Sequence, residues 1–242
     1  MLTLLLVAVM VISAVEKQET DRVADVRIAI DPLPNGKLLI DSMDVRKTIE
    51  LAFGFQPDNK EVGAIDIERV ERVLEDEPFV RDAEVHLDAS DVIRIKLTQR
   101  RPVLRVIDAE GINYYLDEEG IRLPLSVHHT ARVTVASGDI PPHVPDFLVR
   151  KKHMLKELFY LNQFIRTDPF WQSMIEQIYV EGNEFVLVPK IGKQKIRLGG
   201  YADFAEKFNR LRIFYNEVMT REGFRKYTEI DARFDGQVIG RK

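Results

Sequence analysis

The chain has 242 residues, of which 45% are apolar and 31% charged, with a formal net charge of −4. This composition suits two modest globular domains and excludes disorder over most of the chain. Cysteine is absent, which excludes disulfides, thiolate metal sites and cysteine nucleophiles. The basic residues are scattered and match no nucleic-acid-binding motif.

The charge is unevenly divided along the chain. Residues 1–148 carry 17 Lys and Arg against 27 Asp and Glu, whereas residues 149–242 carry 18 against 12. Two solvated surfaces of different composition would account for this division. The alternative is a basic second half that meets an acidic partner or a phosphate-bearing surface.

An apolar segment, residues 2–15, opens the chain. As a helix it would reach only about 21 Å, which is short of the roughly 30 Å hydrocarbon core. No Lys or Arg precedes it, and Ile12 fits poorly at position −3 of a cleavage site after Ala14, so a signal peptide is the weaker alternative. A buried core segment is the third interpretation of residues 2–15. We expect a membrane anchor over residues 1–21, with the folded part in the periplasm because acids outnumber bases just after it.

The periodicity of residues 25–101 predicts the order strand, helix, helix, strand, strand. Alternating apolar residues predict the first strand over residues 25–30, and a helix fits residues 45–53. The second helix has an apolar stripe that begins at Ile67 and ends at Leu74, with Asp66 as its N-cap and Pro78 beyond it. Residues 82–88 and 92–98 alternate as two strands of a hairpin, acidic on the outer face of one and basic on the other.

Residues 102–242 read as short strands and three helices, with a proline-rich connector at 139–146. The predicted strands are 103–108, 113–117, 121–124, 132–136, 177–181, 184–188 and 195–198. Helices are expected over 148–165, from Pro169 to Ile175, and from Tyr201 with an apolar face that ends at Val218. Two closing strands, residues 227–234 and 236–240, are joined by Asp235-Gly236, which is a strong hairpin signal.

The order of these elements after an apolar N-terminus resembles the bacterial FtsQ/DivIB cell-division family in its Bacteroidetes-like form. The first block resembles a POTRA domain. In the second block, Asp117, Gly120, Leu123-Pro124 and Gly138 match the family pattern, as do the Lys-Phe-x-x-Leu helix at 207–211 and the final Gly-Gln-Val. The predicted fold is therefore α+β, with an anchor (1–21), a POTRA domain (22–101) and a β-rich domain with packed helices (102–242).

The resemblance implies a non-enzymatic, single-pass inner-membrane protein at the division septum. It implies that the closing strand pairs with an extended segment of FtsB, which forms a coiled coil with FtsL, and so helps to control septal peptidoglycan synthesis. Other division proteins would contact the POTRA domain. The partner-binding residues carried over are Arg233, Phe234, Gly236, Gln237, Val238, Ile239 and Gly240.

No catalytic, metal-binding or cofactor motif stands out in the sequence. His128 and His129 are adjacent, so on an extended segment they would point to opposite faces, and we interpret them as solvated side chains. The lone Trp171 is interpreted as a core residue. Two other functions stay open at this point: an outer-membrane assembly or secretion factor, since POTRA domains occur there too, and a periplasmic hydrolase of unrecognised type.

Overall fold

The computed structural model describes residues 21–242, which form two compact units. The first comprises residues 21–101 together with 126–130, and the second comprises residues 102–125 and 131–242. The predicted anchor lies almost wholly outside the described residues. Among residues 21–242, no helix combines the length and the apolar character needed to cross a membrane.

The first unit has the predicted order of elements. Strand β1 is followed by helices α1 and α2 and by strands β2 and β3, and a short 3₁₀ turn, Val62–Ala64, precedes α2. The bounds are Asp25–Asp31 (β1), Ser42–Phe53 (α1), Ile67–Glu75 (α2), Val80–Leu87 (β2) and Val92–Gln99 (β3). The sheet order is β1-β3-β2, with β1 parallel to β3 and β2 antiparallel to it.

Local chemistry explains where the helices of this unit begin and end. The Asp41 carboxylate accepts hydrogen bonds from the backbone N–H groups of Met43 and Asp44, and Asp44 reaches back to the N–H of Asp41. This capping box starts α1 three residues earlier than its apolar pattern suggests. Gly54 ends the helix in the left-handed conformation. Asp66 caps α2 as predicted, by accepting from the N–H of Arg69.

The second unit contains one nine-stranded mixed sheet, in the order β12-β11-β10-β9-β8-β7-β4-β5-β6. Its strands are β4 (Pro102–Ile107), β5 (Asn113–Asp117), β6 (Arg122–Leu123), β7 (Thr134–Gly138), β8 (Ile175–Glu181), β9 (Glu184–Pro189), β10 (Lys195–Gly199), β11 (Glu229–Asp231) and β12 (Ile239–Arg241). The pairs β4·β7, β7·β8 and β10·β11 are parallel. Its helices are α3 (Met154–Thr167), α4 (Pro169–Met174), α5 (Phe204–Phe214) and the three-residue α6 (Thr220–Glu222).

Two predicted helices differ from those observed. The helix expected from residue 148 begins only at Met154, where the ring of His153 accepts a hydrogen bond from the N–H of Leu155. The helix expected from Tyr201 begins at Phe204 and changes after Phe214 into a π-helical turn, Tyr215–Met219. A π turn inserts one extra residue, so Met219 is buried at the position that regular helical spacing predicted for Val218.

Aromatic packing joins the helices of the second unit. Trp171 is buried, as predicted, and its ring centroid lies 4.9 Å from that of Phe208 in an edge-to-face arrangement. Tyr215 packs against the same indole at 6.1 Å. The observed architecture confirms the predicted α+β fold class, with a POTRA-like order in the first unit and a sheet with packed helices in the second.

Candidate functional site at the closing strand

The closing strand β12 is the end strand of the nine-stranded sheet, and it is shorter and later than predicted. It spans Ile239–Arg241, so Gly236, Gln237 and Val238 precede the strand instead of belonging to it. Strand β11 likewise covers only Glu229–Asp231. Asp235-Gly236 therefore lies within a seven-residue connection, residues 232–238, and does not form a two-residue hairpin turn.

Contacts from helix α5 and strand β9 explain the long connection. One Arg210 guanidinium nitrogen, Nη2, donates to the carbonyl oxygens of Ala232 (3.4 Å) and Phe234 (3.2 Å). The Arg233 guanidinium pairs with Glu184 of β9 at 3.2 Å. These interactions hold the chain away from the sheet after Asp231. Strand β12 therefore starts only where the chain comes back to pair with β11.

The hydrogen-bond pattern decides which backbone groups of β12 face outward. Lys195 N–H donates to Thr228 C=O, and Ala232 N–H donates to Arg197 C=O, so the backbone groups of Ile230, which lies between them, face β10. The N–H of Thr228, before the strand, donates to Arg241 C=O of β12. Glu229 and Asp231 consequently face β12, opposite Arg241 and Ile239. Because successive strand residues point to opposite edges, the N–H and C=O of Gly240 point away from β11, at the open edge of the sheet.

The backbone of Gly240 is closely covered on one face by Tyr227. A Cβ added at Gly240 would lie 2.6 Å from a carbon of the Tyr227 ring. Any larger residue at position 240 would have to displace this ring or the strand. The glycine therefore allows the strand to approach the aromatic side chain, which helps to hold the short strand in place.

A small hollow of about 260 Å³ lies beside the edge strand. We call it the edge hollow; its lining residues are Arg210, Ile213, Phe214, Glu217, Val218, Gly236, Gln237 and Val238. Ile213 is 56% exposed, so its side chain offers apolar surface to a partner. The edge hollow thus offers an apolar recess next to unpaired backbone groups.

Arg233, the first of the predicted partner-binding residues, makes intramolecular contacts. Its Nε and Nη2 donate to the two oxygens of Asp231 at 2.9 and 2.8 Å, and the Asp231 side chain is fully buried. This hydrogen bonding holds the pKa of Asp231 below its usual range and raises that of Arg233. Phe234, the second, is 42% exposed. Of this pair, Phe234 is the more exposed, and the Arg233 side chain, which is 33% exposed, is held by its ion pairs.

Charged side chains stabilise the pairing of β10, β11 and β12 as well. Arg241 pairs with Glu229 at 3.2 Å and with Asp231 at 3.4 Å, which joins β12 to β11. Arg197 of β10 donates to Glu229 at 2.9 Å, and its pKa is raised by Glu229 and Glu181. The three-residue strand is therefore fixed by ion pairs that extend over two neighbouring strands.

The sequence analysis did not identify Ile213, Val218 or Tyr227 as parts of this site. Ile213 carried a usable signal, because it is an aliphatic residue off the apolar stripe of α5 that Phe208 and Leu211 define. The proximity of Tyr227 to the closing strand had no such signal, since it depends on how β11 and β12 pair.

A second side-chain cluster lies in the first unit. His128 Nε2 lies 2.6 Å from Asp44 Oδ2, and His128 Nδ1 lies 3.8 Å from Asp41 Oδ2. One ligand atom from each of these three residues lies within 4.8 Å of the others, which is compact enough for a metal ion. Both carboxylates already accept N–H groups as the capping box of α1, however. His129 is directed elsewhere, with its ring 3.3 Å from Asn35, so the two histidines do not share a site.

Comparison with protein families places these features in context. The family model "FtsQ/DivIB, C-terminal related" matches residues 101–241, which is more than half of the chain and includes the edge strand. The chain belongs to the FtsQ/DivIB family. A POTRA-like domain model matches residues 24–98. The resemblance to the FtsQ/DivIB family and to a POTRA domain is thereby confirmed.

Curated relatives agree with this assignment. The chain is 25% identical over 178 residues to the cell division protein FtsQ of Myxococcus fulvus, an alignment that covers 70% of the chain and 59% of the relative. It is 26% identical over 169 residues to the FtsQ of Rhodothermus marinus, covering 68% of the chain and 61% of that relative. The chain thus spans about three fifths of the length of these FtsQ proteins.

Proposed function

We propose that this protein is a non-enzymatic docking platform of the cell-division machinery. It recruits FtsB and FtsL by adding a strand of FtsB to the open edge of β12, and so helps to control septal peptidoglycan synthesis. The protein is a single-pass inner-membrane protein with its folded units in the periplasm at the division septum. The first unit provides a surface for other division proteins.

The observation that carries this proposal is the open edge at Gly240. Its N–H and C=O point away from β11, at the end of the sheet. An extended segment of a partner can satisfy these groups by β-augmentation, in which backbone hydrogen bonds give affinity and neighbouring recesses select side chains. The edge hollow provides such a recess, since Ile213 and Val218 form apolar parts of its lining.

The geometry supports different roles for the seven predicted partner-binding residues. Gly240 presents the outward backbone groups, Val238 lines the edge hollow, and Phe234 contributes an exposed ring. Arg233 supports the site from within by holding Asp231. Ile239 faces β11 through its backbone, because it lies opposite Asp231.

Binding of the full chain in detergent to a purified FtsB–FtsL periplasmic complex from the same organism tests the proposal. Val238→Pro removes an N–H just before the edge strand, and we expect it to weaken binding by more than about 1 kcal/mol because a backbone donor is lost. Val238→Ala is the matched control, since it shortens the same side chain and keeps the N–H. Circular dichroism and Trp171 fluorescence establish that both variants are folded.

A second variant tests the edge hollow separately. Ile213→Asp places a charge on a side chain that is already 56% exposed, so the fold should tolerate it. If an apolar side chain of FtsB enters the hollow, this variant weakens binding by about 1 to 3 kcal/mol. An absence of binding by the wild-type chain would refute the FtsB and FtsL assignment. Equal binding by wild type and both Val238 variants would refute pairing of the partner with the segment that leads into β12.

A further inference from the structure

A groove of about 690 Å³ lies in the second unit at the start of strand β7, away from the sheet end that carries β12. We call it the basic groove. Its lining comes from β4, residues 131–135, the end of α3, helix α4, the start of β8 and Lys190 after β9. The volume falls within the range of about 300 to 1,000 Å³ that is usual for ligand sites.

The groove exists because β7 begins later than the strands on either side. Pairing between β4 and β7 starts only at Leu104 with Thr134, and pairing between β7 and β8 starts at Val135 with Gln177. The carbonyl oxygen of Val103 accepts a hydrogen bond from the buried Asn162 amide at 3.0 Å. Where β7 is missing, β4 and β8 are separated by two strand spacings, about 10 Å, and residues 131–133 line the gap.

Positive charge dominates the lining. The lining contains four cationic side chains and a single carboxylate, that of Glu176. The cations are Arg105, Arg132, Arg166 and Lys190. Arg166 pairs with Glu118 at 3.4 Å, at the rim of a separate surface recess. The other three cations have no carboxylate partner within the described part of the chain: Arg105 donates to an amide oxygen, and Lys190 donates to a backbone carbonyl. A concave site with excess charge of one sign concentrates ions of the opposite sign.

The surrounding groups favour a peptide carboxylate over a phosphate group. Phosphate sites usually add backbone N–H groups from a glycine-rich loop or a helix N-terminus. No glycine lines the groove, and the N-terminus of α4 is capped by Asp168, which accepts the N–H of Phe170 at 3.0 Å. The lining instead combines its cations with the accessible apolar side chains of Val133, Val135 and Pro169. Apolar walls between separate cations suit a peptide that carries both carboxylates and aliphatic side chains.

From this combination of shape, charge and apolar lining, we propose that the basic groove binds an acidic segment of a partner protein in which carboxylates alternate with aliphatic residues. The carboxylates contact Arg132, Lys190 and Arg105, and the aliphatic groups pack on Val133 and Val135. This contact is independent of the β12 edge, because four strands, β8 to β11, separate β7 from β12 in the sheet.

Fluorescence anisotropy with the full chain tests this site, using a labelled hexapeptide of alternating Val and Glu and its Val and Gln counterpart. The decisive variant combines Arg132→Glu with Lys190→Glu, because both side chains are exposed and neither forms an ion pair in the described structure. The control combines Lys151→Glu with Lys152→Glu, which changes the net charge equally on exposed residues outside the groove.

We expect the Glu peptide to bind more tightly than the Gln peptide, with an affinity that falls as salt rises. The groove variant should weaken this binding about tenfold, whereas the control should change it less than about twofold. Equal weakening by both double variants would overturn the proposal, because it would indicate attraction to net charge alone. Displacement of the peptide by an equimolar amount of inorganic pyrophosphate, or groove-dependent binding to phosphatidylglycerol vesicles without peptide binding, would overturn it in favour of a phosphate site.

Discussion

Replacement of Arg233 by alanine should destabilise the second unit, because Arg233 neutralises a buried carboxylate. Asp231 accepts three hydrogen bonds from Arg233, two from the guanidinium and one from the backbone N–H, and a longer one of 3.4 Å from Arg241. Its side chain is fully buried. The Arg233→Ala variant leaves this carboxylate with the backbone N–H and the partly exposed Arg241.

The expected loss of stability depends on which partners Asp231 keeps in the Arg233→Ala variant. Breaking a buried ion pair by removing one partner costs about 3 to 5 kcal/mol when the remaining charge has no other partner. Because Arg241 and one N–H are retained, and the Arg233 side chain is itself 33% exposed, we expect a smaller loss of about 2 to 3 kcal/mol. Urea denaturation at pH 7 measures it. Trp171, the single tryptophan, is buried in this unit and reports its unfolding.

The pH dependence provides a second, independent check. The Arg233 hydrogen bonds hold the pKa of Asp231 below its usual value, so the stability from this pair is full above the usual Asp pKa, near 3.8. That stability is lost as the pH falls through the lowered pKa of the folded state. The free energies of unfolding of wild type and Arg233→Ala should therefore converge in acid. Arg225→Ala, at an exposed arginine of the same unit, is the control. A difference below about 0.5 kcal/mol at pH 7, the range of an ordinary surface substitution, would refute the reasoning.

Three further predictions concern other parts of the chain. Gly240→Ala should destabilise the second unit by about 1 to 3 kcal/mol through its clash with the Tyr227 ring, and Tyr227→Ala should relieve part of this loss in a double-mutant denaturation series. Burial lowers the pKa of His143, so stability should decline as the pH falls below about 6.5, where the unfolded chain takes up the proton first; His143→Phe should reduce this decline between pH 7.5 and 5.5. Asp41→Ala should cost the first unit about 0.5 to 2 kcal/mol through loss of the α1 cap, measured by thermal circular dichroism; an unchanged melting temperature would contradict it.

Short-range patterns in the sequence were sufficient to predict most individual elements. The alternation at residues 82–88 and 92–98 predicted β2 and β3 to within two residues, and Asp168-Pro169 predicted the start of α4. These predictions succeed because side-chain periodicity and capping depend on residues a few positions apart. The π turn after Phe214 had no comparable signal, and the burial of Met219 in place of Val218 followed from it.

The sequence by itself determined the fold class, the order of the elements and the position of the closing strand near Gly240. Only the tertiary structure decided that this strand is the sheet edge, that Gly240 faces outward, and that Arg233 holds the buried Asp231. It also decided the late start of β7 that opens the basic groove. The physical reason is that strand order and register arise from pairing between residues far apart in the chain, so no local pattern encodes them.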